Sequence, residues 1–389
     1  MSETRPATLP LRGDWLFPTE IRFGAGRIEE LGALCLRFGM KRPLIVTDRG
    51  LAATTLAERV LTAADVPGVA SRFFAGLQEN PTGGNVEDGV AAFRAWDADG
   101  VIALGGGSGL DGGKTIALLA GCGGSLWRFA WPDHETAQAE RARVPIIAIP
   151  TTAGTGAEVE PSAIVTDERG PVKRAVLHPG MLPKAVIADP SLTVSMPRGL
   201  TAATGMDALS HSLEALCVQS FHPMADAIAA SGIAMIGRWL PVAVAEPQNL
   251  TARGYMMAAA IMGATAFGKG LGAMHALSHA IGALKGYHHG LTNAVLMPFV
   301  LAYNRPAIES AMAELAATLR LEGDPFVAVQ GWILDLRRRI EIPATVTALG
   351  LARAEFGRVA DLAATDICAG MNPVPVDAGS LRSILDAAA

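Results

Sequence analysis

Four of the eight histidines in this chain fall between Gly270 and Gly290: His275, His279, His288 and His289. His275 and His279 stand four apart in an alanine- and leucine-rich run, so both face one side of a predicted helix. Imidazole is the commonest side-chain metal ligand, and two on one helical face can be presented together. The plainer alternative is a core helix whose histidines bond to backbone. So many in one short apolar stretch favour a site. Upstream, Gly205–His211 sets Asp207 and His211 at i and i+4 on one helical face, a spacing that also suits a surface hydrogen-bonded pair. Joined to His275 and His289, it offers one oxygen and three nitrogens. That mixture suits Fe2+ or Zn2+ and is too nitrogen-rich for Mg2+ or Ca2+.

Two glycine-rich turns carry a second kind of chemistry. Gly105–Lys114 follows the apolar run Val101–Leu104 and contains Gly106, Gly107, Ser108 and Asp111. Glycines let backbone approach an anion closely, and a helix starting near Ser108 would aim its free N–H groups there. A pyrophosphate is the expected guest, although glycine-rich turns are also ordinary loops. The fingerprint G-x-G-x-x-G fits Gly107–Gly112 but is weak alone, and a triphosphatase loop would need glycine where Ser108 stands. The second turn, Pro150–Glu158, offers the hydroxyls of Thr151, Thr152 and Thr155 to ribose or phosphate, although turns favour such residues anyway. Asp48 ends the run Arg42–Asp48, where an acid can accept from an adenosine ribose and repel a 2′-phosphate, favouring NAD over NADP. The same position equally suits a helix cap.

The elements that must hold these residues are legible in outline. Apolar runs at Arg42–Asp48, Gly100–Leu104, Pro145–Ile149 and Ala185–Ala188 read as buried parallel strands, and Trp15–Phe23 as a further strand. Helical patterns over Leu51–Ala64, about 86–97 and about 109–120 complete a β-α-β alternation. Beyond Leu200 the periodicity is helical, punctuated by Pro197, Pro223, Pro241, Pro247, Pro298, Pro306, Pro325 and Pro343. An α/β domain over residues 1–190 and an all-helical domain over 191–389 are expected. A chain of 389 residues is too long for one ordinary core, which agrees. Charged residues interrupt every membrane-length apolar run, and the first residues lack the apolar core of a secretion signal. The net charge of −5 gives no reason to expect nucleic acid. Four scattered cysteines without a C-x-x-C pair suit reduced thiols, so a cytoplasmic protein is expected.

Taken together, these stretches resemble the iron-containing, group III alcohol dehydrogenases nearly end to end. The resemblance runs through Phe17-Pro18, Phe23–Gly26, Asn80-Pro81-Thr82, Gly105–Lys114, Pro150–Glu158, Leu182-Pro183-Lys184, Asp189-Pro190, Gly205–His211, Gly270–His279, His289-Gly290 and Asn372-Pro373. It implies a Rossmann-like dinucleotide-binding domain and a helical domain, as in dehydroquinate synthase, with the active site between them. It implies metal ligation by Asp207, His211, His275 and His289, with His279 beside them in proton transfer. It implies nucleotide contacts at Asp48, Asn80, Gly106, Gly107, Ser108, Thr151, Thr152, Thr155 and Lys173. The reaction would be NAD(H)-linked hydride exchange between an alcohol and an aldehyde. A homodimer follows as well, since the strand around Phe17–Phe23 often pairs across subunits there. If His275 and His289 share an ion, one straight helix cannot carry both, because fourteen residues rise ~21 Å. The helix must stop near Leu284, with Gly286 turning the chain back.

The substrate is less legible. Phe267-Gly268-Lys269-Gly270 and His288-His289-Gly290 look like the branch holding 4-hydroxybutyrate dehydrogenases, in which Lys269 would pair a substrate carboxylate. Lys269 is equally readable as a solvated loop lysine. Ser162 and His288 are further substrate candidates, and Glu160 near the pocket argues against an anion. A maleylacetate reductase-like or dehydroquinate synthase-like enzyme remains an alternative, as does a non-catalytic nucleotide- or metal-binding protein.

Overall fold

The computed structural model describes residues 19–132, 144–170 and 172–389. Phe17-Pro18 and the start of the expected strand Trp15–Phe23 lie outside these. Among the described residues, eight strands are β1 Glu20–Phe23, β2 Pro43–Asp48, β3 Arg72–Leu77, β4 Gly100–Gly105, β5 Ile146–Pro150, β6 Ser162–Asp167, β7 Val172–Leu177 and β8 Ala185–Ala188. Six form a sheet in the order β1-β8-β5-β4-β2-β3, and every pairing is parallel. β6 and β7 form a separate antiparallel hairpin. The hairpin escapes the search for apolar runs because polar side chains interleave its half-buried residues, and β3, although apolar after Arg72, is short and largely half-buried.

The period of two sorts the strand residues cleanly. Ile45, Ile102, Leu104, Ile147, Ile149 and Ile187 face one core, under α1 Leu31–Arg37 and α3 Thr55–Ala64. The expected helix Leu51–Ala64 is in fact two, α2 Arg49–Ala52 and α3, because Thr54 leaves helical geometry to cap α3. Leu44, Val46, Val101, Ala103, Ile146, Ala148 and Val186 face the opposite core, with α4 Gly83–Ala95 and α5 Gly107–Cys122. That second core runs without a break into the helical half.

The helical half contains α6 Arg198–Cys217, α7 Pro223–Ala245, α8 Leu250–Phe267, α9 Ala273–Lys285, α10 His289–Leu319, α11 Pro325–Arg339, α12 Phe356–Ala363 and α13 Ala378–Ala387. Pro223 and Pro325 begin helices, where the missing N–H costs nothing. Pro241, Pro298 and Pro306 do not punctuate: they lie inside α7 and α10. Each forgoes one backbone bond, and the buried faces of these long helices outweigh that loss. Among the described helices, α7 alone is long and apolar enough to cross a membrane. Its Ala229, Ile233, Ile236 and Leu240 are buried in the shared core. α6 is central, with almost every residue buried from Thr201 to Cys217.

The β4–α5 turn sets how closely helix and sheet approach. Gly105 has φ +143, which favours glycine, and a Cβ on Gly109 would lie 2.4 Å from the Leu104 carbonyl oxygen. Gly109→Ala should therefore lower the thermal midpoint, costing about 1–3 kcal/mol. A melting curve indistinguishable from the parent's would contradict the close approach.

Candidate active site

α6 is buried on all sides, yet it carries Asp207, His211 and Glu214 at i, i+4 and i+7. Such polar atoms must find partners within the protein. Glu214 does so by accepting from the backbone N–H of Gly272 at 2.9 Å and of Met274 at 2.7 Å. It thereby caps α9, whose own N-cap Gly272 has no side chain to offer. The same carboxylate lies 2.6 Å from His275 Nδ1. An imidazole that donates from Nδ1 to a carboxylate turns a bare Nε2 the other way. Burial alone would lower the His275 pKa, but the Glu214 carboxylate more than offsets it and holds it above the ordinary value.

α9 ends at Lys285, and Gly286 at φ +68 reverses the chain. Only Tyr287 and His288 then precede α10, whose first residue is His289. His289 Nδ1 meets Ser278 Oγ at 2.9 Å, and that hydroxyl donates to the His289 carbonyl. Nδ1 is therefore the donor, and its Nε2 also points inward. Close contact between α6 and α10 depends on Gly290, where a Cβ would sit 2.4 Å from the Ala203 carbonyl. The ligand atoms of Asp207, His211, His275 and His289 all lie within 4.8 Å of one another. Burial lowers His211 to about 4 and His289 well below its ordinary value, so both imidazoles are neutral with a free lone pair.

Asn293 lies one turn into α10 and is fully buried. Its Nδ2 is 3.0 Å from Asp207 Oδ1, 3.2 Å from Ser210 Oγ, 3.2 Å from His275 Nε2 and 3.1 Å from His289 Nε2. An amide has two hydrogens for these four acceptors. Asn293 Oδ1 is itself buried without a partner. So many acceptors converging on so few hydrogens fit a cation, and one carboxylate with three imidazoles is a donor set for Fe2+ or Zn2+. Ligand distances near ~2 Å would need the cluster to draw in by a fraction of an ångström. His279 stands beside this set, its ring stacked on His289 at 5.1 Å, and its Nδ1 meets Asp366 Oδ2 at 2.9 Å. Burial would raise Asp366, but the nearby His279 outweighs that and holds its carboxyl below the ordinary value.

Facing the cluster across a cleft of 390 Å3 are the turns of the α/β half. Gly107, Ser108, Asp111, Thr155, Asn80 and Lys173 all line it. The turns interlock: a Cβ on Gly106 would lie 3.1 Å from Thr152, and one on Gly107 would lie 2.9 Å from Thr155. The Thr151 N–H donates to the Gly105 carbonyl at 2.9 Å. Asn80, in left-handed geometry, donates its N–H to Ser108 Oγ at 3.2 Å and accepts from Lys173 Nζ at 2.7 Å. Burial lowers the Lys173 pKa. α5 starts at Gly107 without a side-chain cap, so its first N–H groups remain available to an anion.

Several residues hold other posts. Asp48 caps α2, accepting from the Leu51 N–H at 2.9 Å, at the same end of the sheet as the Gly105 turn. Asp111 accepts from the Ile164 N–H at 3.0 Å and pairs with Lys114, so it anchors the hairpin. Of the three substrate candidates, Lys269 and His288 have partners away from the cleft. Lys269 pairs with Asp226 of α7 at 2.6 Å, because its buried side chain needs a counter-charge and that acid is near. His288 caps α10 through Nδ1 on the Leu291 N–H, the orphan group at that helix start. Ser162 and Glu160 do line the cleft. Glu214, Asn293 and Asp366 were missed by the sequence reading. Glu214 alone left a signal, three residues beyond His211 on the same apolar helix.

Glycine turns at the carboxyl ends of a parallel sheet, facing a buried carboxylate and three imidazoles, are the parts of a dinucleotide- and metal-dependent oxidoreductase. Comparison with known proteins agrees. Residues 18–190 match the model of iron-containing alcohol dehydrogenase, and residues 201–389 match the C-terminal model of the Fe-containing alcohol dehydrogenase family. The chain is 36% identical over 378 residues to a 4-hydroxybutyrate dehydrogenase of Cupriavidus necator, covering 95% of this chain and 97% of that one. It is 35% identical to an NAD-dependent methanol dehydrogenase of Bacillus methanolicus, covering 92% and 95%. A solved 1,3-propanediol oxidoreductase superposes with a TM-score of 0.92 at 35% identity, covering 97% and 99%. The chain belongs to the iron-containing alcohol dehydrogenase family.

Glu214 should govern metal retention through His275. Glu214→Gln keeps the volume but turns a donor toward a donor, and metal affinity should fall about 10–100-fold by chelator competition. NAD affinity should be unchanged; an equal loss of both would indicate general unfolding instead.

Proposed function

We propose that this protein interconverts a primary alcohol and its aldehyde with NAD(H), using a divalent ion held by Asp207, His211, His275 and His289. The observation that carries this reading is the convergence of the ligand atoms of Asp207, His211, His275 and His289 to within 4.8 Å of one another, across the cleft from the glycine turns. When bound, Fe2+ (or Zn2+) supplies Lewis acidity to the alcohol or carbonyl oxygen, and NAD supplies the hydride acceptor. The chain's own part is positioning and proton handling. Glu214 and Ser278 fix the His275 and His289 tautomers. Gly106, Gly107, Ser108, Thr151, Thr152 and Thr155 give the pyrophosphate backbone and hydroxyl donors, and Asn80 with Lys173 closes over them. Asp48 stands where it would meet the adenosine ribose. His279 lies close enough to exchange the hydroxyl proton, and Asp366 orients its ring. Residues 1–190 would form the dinucleotide half and 191–389 the metal half, in a cytoplasmic homodimer.

His289→Ala should lose bound metal and turnover together, as should chelation of the parent, with Fe2+ or Zn2+ restoring NADH formation at its absorbance band. His279→Ala should keep its metal while kcat falls about 100-fold or more. Full turnover by metal-free His289→Ala would sink the reading. A reaction that consumes substrate without net NADH would favour the dehydroquinate synthase-like alternative.

A further inference from the structure

The cleft wall opposite the cluster shows which far end of a substrate it accepts. The lysines lining this cleft are Lys114 and Lys173. Lys114 is fully buried beneath the loop, donating to the carbonyls of Ala157 at 2.7 Å, Glu160 at 3.3 Å and Ser162, with Asp111 Oδ1 at 3.2 Å. Those four acceptors exceed the three hydrogens of an ammonium, so nothing is left for a ligand. Lys173 donates to Asn80 at 2.7 Å and is within electrostatic reach of Asp111, Asp207 and Glu79. Arg174, on the same hairpin, is bound to Asp167, and Lys269 to Asp226. A carboxylate brought against the wall of Glu160 and Ser162 would lose its water without gaining a cation there, because Lys114 is fully engaged and Lys173 is turned to Asn80 beside the glycine turns.

Glu160 and Ser162 offer the opposite chemistry on that wall. Both line the cleft, and neither side chain is engaged in a hydrogen bond among the described residues. We propose that Glu160, with Ser162, is a specificity site that selects alcohols bearing a second hydroxyl at the far end over ω-hydroxy acids. This rests on the dehydrogenase reading above. A hydroxyl can donate to a carboxylate or accept from a carboxylic acid, so the pairing survives either protonation state of Glu160. Burial, set against the nearby Lys114 and reinforced by Glu158 and Asp111, pushes Glu160 up to about 8. Above that pH the ionised group repels a substrate carboxylate, so discrimination against the hydroxy acid should grow as pH rises through this value. Relatives acting on either substrate class are about equally similar overall, so the wall distinguishes what identity does not.

The test measures kcat/KM of the metal-loaded enzyme with NAD for 1,3-propanediol, 4-hydroxybutyrate and 1-butanol at pH 7 and pH 9. The diol should exceed the hydroxy acid by about tenfold or more, with a larger ratio at pH 9. Glu160→Gln is isosteric and uncharged; it should flatten the pH dependence of that ratio, while thermal melting confirms an intact fold. Preference for the hydroxy acid, or a ratio unmoved by Glu160→Gln, overturns the proposal and leaves the dehydrogenase reading standing. No NADH from any of the three alcohols removes the dehydrogenase reading, and this proposal with it.

Discussion

A helix buried on every side and carrying three ionisable groups is the constraint on which the rest of this structure depends. Asp207, His211 and Glu214 share one stripe of α6 and are almost wholly buried, so water does little to offset their desolvation. Each must be met by another element, which ties α6 to its neighbours more specifically than apolar packing would. Glu214 takes the exposed amides at the start of α9 together with an imidazole from that helix. Asp207 takes the Asn293 amide of α10. Removing one partner would strand a buried charge, which costs far more than the pair contributes net. The polar stripe therefore fixes the register of three helices, and the converging ligand atoms are the result.

The α/β half solves a different problem, the close approach of backbone to backbone. Gly109 and Gly113 let α5 lie against β4, with prospective Cβ contacts of 2.4 Å to Leu104 and 2.5 Å to Ala103. These glycines belong to the packing of helix on strand. Of the turn itself, Gly107 and Ser108 line the cleft. Lys114, placed like a phosphate-binding lysine in the sequence, is instead a buried strut whose ammonium gathers the carbonyls of the 157–162 loop. It thereby shapes the wall on which Glu160 and Ser162 stand.

Electrostatics then divides the cleft. Beside the glycine turns, free N–H groups and Lys173 favour phosphate. Beside the metal ligands, burial keeps His211 and His289 neutral and ready to donate lone pairs. The cleft also has a wall at Glu160, whose carboxyl burial pushes up to about 8, with Glu158 buried behind it and pushed up to about 7. One cleft is thus built to take an anion at one end and a cation at the other, and the proposed uncharged polar tail would lie against the wall of Glu160 and Ser162.

The sequence by itself determined the α/β-then-α order and the glycine turns, because period and turn chemistry are local properties, whereas the grouping of Asp207, His211, His275 and His289 came from the family resemblance and not from spacing. It also determined that the helix carrying His275 must end before His289, and Gly286 does end it. The β6–β7 hairpin stayed hidden, since half-buried strands with interleaved polar residues lack the apolar signature of the central sheet. Partners were the larger gap. Whether Lys269 meets a substrate or Asp226, and whether His288 enters the cleft or caps α10, depends on which helices lie alongside. Glu214, Asn293 and Asp366 were silent for the same reason: a carboxylate or amide orients an imidazole only through contacts between residues distant in the chain. Those contacts exist once burial has removed water as a competing partner, and tertiary structure alone decides that.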